Sequence, residues 1–161
     1  MKNILIFWFP LILYIFSCKE DNNVGGITIP DTNESAIAEV ISVSVTGDEN
    51  EYTFSVGIKS PDTGCNQYAN WWEVISEEGN LVYRRILAHS HVNEQPFVRS
   101  GSPVTIKKDQ VVYVRVHMNT SGYSDQVFKG NVETGFQKNI LDKTFANQLE
   151  TMRPLPSGCA F

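Results

Sequence analysis

Histidines two apart are the first residues in this chain whose type and spacing suggest chemistry. His89-Ser90-His91 on extended backbone would project both imidazoles the same way, and His117-Met118 offers a third nitrogen and a thioether. Such a set suits copper or zinc. Alternation, however, sends Met118 to the opposite side of its strand from His117. His89 and His91 could equally order the loop that runs to Pro96 by hydrogen bonding. The metal set is therefore an alternative reading, and outside it no cofactor is expected.

The leading reading is a face. In Val111–Met118 the row Val112, Val114, Val116 and Met118 reads as core, which leaves Val111, Tyr113, Arg115 and His117 on the other side. In the preceding hairpin, Trp72 and Val74 should point inward and Trp71, Glu73 and Ile75 outward. The partner strand separates Val82 and Ile86 from Tyr83, Arg85, Leu87 and His89. One outer sheet face would then carry Trp71, Glu73, Tyr83, Arg85, Tyr113 and Arg115, with His117 at its end. Aromatic planes beside charged hydrogen-bonding groups are common at recognition surfaces. The plain alternative is a solvated face with ion pairs from Glu73 to Arg85 or Arg115.

Motifs for enzyme chemistry are missing. The chain has no Gly-x-Ser-x-Gly, no His-Glu-x-x-His and no phosphate loop, so no enzyme is expected. Glu77-Glu78 sits in a turn, and Asp48-Glu49-Asn50-Glu51 only loosely suggests a calcium loop. A hydrolase with an unfamiliar site is a third, weaker class. A net charge of −5 with no basic stripe argues against nucleic acid as a partner.

The elements that must position these residues are strands. Ala36–Val45 alternates at Ile41, Val43 and Val45, and Tyr52–Ile58 returns with Tyr52, Phe54, Val56 and Ile58 on one face. Asn70–Ile75 and Leu81–Leu87 flank the turn Ser76–Asn80. Further strands are expected around Val104–Ile106, at Val111–Met118 and at Gln126–Val132, with a short helix within Leu141–Glu150. About seven short strands with turns between them predict an all-β, antiparallel immunoglobulin-like sandwich over residues 36–161, with a jelly roll as the alternative. Val114-Arg115-Val116, followed by Asn119, Gly122 and Ser124, resembles the sixth strand and following loop of fibronectin type III domains. The likeness covers about fifteen residues and lacks a tyrosine at position 112, where this chain has valine.

At the N-terminus a short basic start precedes the apolar run Ile4–Phe16, broken only by Pro10. Such a run is too short for a stable membrane span and fits the core of a signal peptide over residues 1–17. Ile15-Phe16-Ser17-Cys18 resembles a bacterial lipobox, although Phe16 replaces the usual small residue. The resemblance implies that Cys18 is lipidated and becomes the mature N-terminus, anchoring the protein to a membrane. An ordinary cleaved signal with an incidental cysteine is the alternative. Lys19-Glu20-Asp21 is similar to the signal that sends lipoproteins of Bacteroidota-type bacteria to the cell surface, which implies an outer-membrane or surface location. Residues 18–35 read as a flexible tether. With Cys18 lipidated, Cys65 and Cys159 remain as an even pair in an exported chain, and a disulfide is expected between them. A bridge closing so long a loop contributes roughly 4 kcal/mol in the chain-entropy model. The function expected is that of a lipid-anchored, non-catalytic binding or accessory module, with a protein or carbohydrate partner.

Overall fold

Tyr52, Phe54, Val56 and Ile58 are all buried and spaced two apart, so the strand that carries them lays one face on a core. In the computed structural model, which describes residues 37–160, that strand is β2 (Tyr52–Lys59). It pairs antiparallel with β1 (Glu39–Thr46) across a turn in which Gly47 and Asn50 take positive φ. The expected signal peptide, Cys18 and tether lie outside the described residues.

Next come β3 (Ala69–Ser76), β4 (Leu81–Ile86), β5 (Phe97–Val104), β6 (Val112–Met118), β7 (Gly122–Tyr123), β8 (Gln126–Asn131) and β9 (Gly135–Ile140). They form two antiparallel sheets, one ordered β1-β2-β5 and the other β4-β3-β6-β8-β9, with β7 pairing beside β6. The fold is a β-sandwich, as the strand pattern predicts. Its core joins Phe54, Val56 and Ile58 of one sheet to Trp72, Val74, Val114 and Val116 of the other. The valine row of β6 points into this core as alternation requires.

Two strands carry no apolar alternation to reveal them. β5 begins at Phe97, well before the expected strand around Val104–Ile106, and buries only Phe97, Gly101 and Val104 of its eight residues. Backbone pairing with β2 holds it, and Pro103 is tolerated because β5 is an edge strand. β9 is almost wholly exposed and is held by its ladder with β8. At the end of the segment expected to be helical the described residues form instead one 3-10 turn, Asn147–Thr151, entered through Ala146 in the left-handed region. It buries Leu149 on the outside of β3 and β6. A lone apolar anchor over so few residues gives no continuous stripe on which an α-helix could pack.

Asn119, just past β6, accepts the Tyr68 amide at 2.9 Å and donates to the Cys65 carbonyl at 3.1 Å. Cys65 and Cys159 are joined by a disulfide with Cα atoms 5.6 Å apart. The bridge fastens the chain's end to the loop before β3. Peptide mapping without reductant is expected to recover the Cys65 peptide joined to the Cys159 peptide. Two thiols that alkylate without prior reduction would contradict it.

Candidate functional site

β3 lies between β4 and β6, and the two ladders place Glu73 opposite Arg84 on one side and opposite Arg115 on the other. Directly opposed residues share a face, so one carboxylate meets two guanidinium groups. Arg84 Nε donates to Glu73 Oε2 at 2.8 Å, and Arg115 Nε donates to Oε1 at 2.8 Å. A terminal nitrogen of each fork also lies against Glu73, and both forks reach the C-terminal segment. Arg84 donates to the carbonyls of Leu149, Met152 and Pro154, and Arg115 to those of Phe145 and Ala146. The segment therefore lies across the sheet as a strap, its carbonyls serving as acceptors for charges that would otherwise be buried bare.

Aromatic rings complete the layer under the strap. Trp71 stacks on His117 with centroids 3.7 Å apart, and the Arg84 guanidinium sits 4.6 Å from the Trp71 centroid. Arg115 lies 3.5 Å over Tyr123. His117 Nδ1 and Asn70 Oδ1 are 2.7 Å apart, which fixes the ring. Burial, aided by the positive charges of Arg84 and Arg115, pushes the His117 imidazole down to about 3. Burial and then the Glu73 charge push the Tyr123 phenol up. Both groups stay neutral near pH 7.

This layer corrects the expected solvent-facing site in two ways. First, Trp71, Glu73 and Arg115 do point away from the sandwich core, yet they are 3%, 0% and 1% exposed because the strap covers them. Tyr113 is half-buried on the same face, edge-on to Phe145, with Lys129 over its ring. Second, Tyr83 and Arg85 are not on that face. They stand opposite Val74 and Trp72, so they point toward the other sheet, at its margin. The hairpin register sets which row of β4 faces out, and a slip of one residue exchanges the rows. The residue that belongs with Glu73 is Arg84. The tandem Arg84-Arg85 in a strand is its sequence signal, since neighbours point oppositely and one of the two must reach each face.

The histidines do not assemble either. His117 lies under the strap, while the His89 and His91 rings meet at a tilt with centroids 4.4 Å apart, His91 stacking on Phe97 of the other sheet. Among the described residues, no three His, Cys, Asp or Glu side chains come together at metal-binding range. The loop that carries His89 and His91 is ordered chiefly by Asp62, whose carboxylate accepts from the Ser60 hydroxyl at 2.7 Å and from the backbone amides of Ala69 and His91. His91 is 2% exposed, and neither ring nitrogen has a hydrogen-bond partner among the described residues. Burial first, then the charges of Arg99 and His89, push its imidazole down to about 4.

What remains open to solvent is the margin where Tyr83 and Arg85 stand. Arg85 is exposed, and its Nε donates to the Ser100 carbonyl of β5 at 3.2 Å. A cavity of about 280 Å³ opens there between Thr53, Tyr83, Arg85 and residues 100–102. Of the expected face, Tyr83 and Arg85 line this cavity.

Over 110 residues the chain is 34% identical to a protein of the archaeon Halomicrobium mukohataei described as "Putative lipoprotein". The match takes in 68% of this chain and 53% of that protein, so the chain spans about half the length of the curated relative. No family model matches the chain, and no solved structure does.

Proposed function

We propose that this is a lipid-anchored envelope protein whose β-sandwich is a non-catalytic binding module. The observation that carries the anchor is Cys18 directly after an apolar run and Ser17, in a chain similar to a protein described as a lipoprotein. Among the described residues no helix is long and apolar enough to cross a membrane, which fits attachment through a lipid. An immunoglobulin-like assignment is supported by the strand order. The first, second and fifth strands share one sheet, and the fourth, third, sixth and eighth lie side by side in the other.

A binding role in place of catalysis is supported by the state of the reactive groups. Cys65 and Cys159 are bonded to each other, His91 and His117 are buried and neutral, and Glu73 is saturated by two arginines. None of them is free to attack a substrate or to shuttle a proton at an accessible surface. An outer-membrane or cell-surface location is the extension of this reading suggested by Lys19-Glu20-Asp21.

Cys18→Ala is expected to abolish fatty-acid labelling and to move the protein out of the membrane fraction. Label retained by the Cys18→Ala protein would overturn the anchor.

A further inference from the structure

We propose that the seam between β4 and β5 binds a saccharide bearing sulfate or carboxylate groups, with Arg85 as the residue that holds the anion. The proposal rests on the binding-module reading and names the ligand class for it. β4 and β5 are edge strands of opposite sheets, so the sheets part at this margin and leave a groove. Arg85 reaches across it to the Ser100 carbonyl through Nε alone. Among the described residues its two terminal nitrogens make no hydrogen bond and it has no acidic partner.

Two adjoining cavities share Arg85. The larger, of about 280 Å³, is lined by Thr53, Tyr83, Ser100 and Ser102, and the smaller, of about 100 Å³, runs on toward His89 and Arg99. Neither lining includes an Asp or Glu, in a chain whose net charge is −5. At the far end His91 is depressed by burial first, with Arg99 and His89 acting the same way and Asp62 and Glu94 the opposite way. Arg99 is already paired with Glu94 at 2.6 Å, which leaves Arg85 as the arginine of the groove without a counter-charge among the described residues.

A guanidinium fork matches the paired oxygens of sulfate and carboxylate. Thr53 and Ser102, which also line the larger cavity, carry hydroxyls of the kind a polyhydroxylated ligand needs, while the Ser100 hydroxyl is shared with Ser55 at 2.7 Å. Tyr83 is held in place there by its neighbour. A Cβ at Gly101 would come within 2.5 Å of the Tyr83 hydroxyl, so only glycine lets the phenol lie against the β5 backbone.

The test uses the full-length protein in detergent, titrated against immobilised dextran sulfate, polygalacturonate and unsubstituted dextran. Binding to at least one charged polymer and none to dextran is expected, and the polymer preferred tells sulfate from carboxylate. Arg85→Ala should weaken that binding at least tenfold and Arg85→Lys by less, while Lys138→Ala, an exposed cation on β9, should leave it unchanged. No binding to either charged polymer, or an equal loss in Lys138→Ala, would overturn the site. A glycan array on the same protein separates the two levels of the argument. Capture of a glycan that Arg85→Ala leaves unaffected overturns the groove and keeps the binding module. The anchor is judged separately by fractionation.

Discussion

Glu73→Gln is expected to cost roughly 3–5 kcal/mol of folding stability, the penalty for leaving a buried charge uncompensated. The carboxylate is fully buried, and it is the anion between Arg84 and Arg115, themselves buried. Glutamine keeps the shape and an acceptor oxygen but removes the charge, and its amide nitrogen would face a guanidinium with nothing to accept. Strap carbonyls solvate both arginines and do not neutralise them. The loss is a large fraction of the roughly 5–15 kcal/mol that holds a domain of this kind together. Glu77→Gln is the control. Glu77 pairs with Lys129 at 2.9 Å, but both side chains are substantially exposed, and such pairs contribute about 0–1 kcal/mol. Equilibrium urea denaturation of the two variants compares them directly. Equal midpoints would show that the Arg84–Glu73–Arg115 cluster does not hold the strap.

The same cluster shows where sequence reasoning carries and where it stops. Alternation alone places Trp72, Val112, Val114 and Val116 in the core, and Trp71, Glu73 and Arg115 on the opposite face, because strand periodicity is local. What covers that face is not local. The strap lies tens of residues away in sequence, buries only Ala146 and Leu149 among its described apolar residues, and docks through backbone carbonyls that every residue possesses. No pattern of side chains announces it. β5 and β9 escape for a related reason, since main-chain ladders hold them and they do not offer an apolar row. The two arginines of β4 are the instructive pair. Both are strand residues of one type, and only the register with β3 decides that Arg84 is buried beside Glu73 while Arg85 stands in the groove. The pairing of Cys65 with Cys159, by contrast, follows from counting cysteines in an exported chain.

Stability is expected to fall as the medium is acidified from about pH 6.5 toward pH 4, a window set by the histidines. An unfolded chain protonates His91 and His117 near their ordinary value of about 6.5. In the fold they hold out to about 4 and about 3. Their folded values are depressed, so the unfolded state takes up protons first and gains as the pH drops. The stability they confer is therefore complete above pH 6.5 and drains away below it. Each unit of separation is worth roughly 1.4 kcal/mol, so the two sites together amount to several kcal/mol. Groups from several elements face these rings: Arg84 and Arg115 oppose charge on His117 while Glu150 lies 3.8 Å from its Nε2, and Arg99 and His89 oppose Asp62 and Glu94 around His91. Glu78, Glu94 and Asp142 also have lowered values, but they release their contribution only below the ordinary carboxylate range, in a separate window. His91→Phe isolates one site. Its ring stacks on Phe97 at 3.8 Å and its nitrogens make no hydrogen bond among the described residues, the Asp62 carboxylate lying 3.8 Å from Nδ1, so phenylalanine keeps the ring contact and cannot titrate. Urea unfolding at pH 7.5, 6 and 5 should show a shallower decline in His91→Phe than in the parent, with stability at pH 7.5 no lower. A parent protein equally stable at all three pH values would mean that neither imidazole is held neutral by the fold.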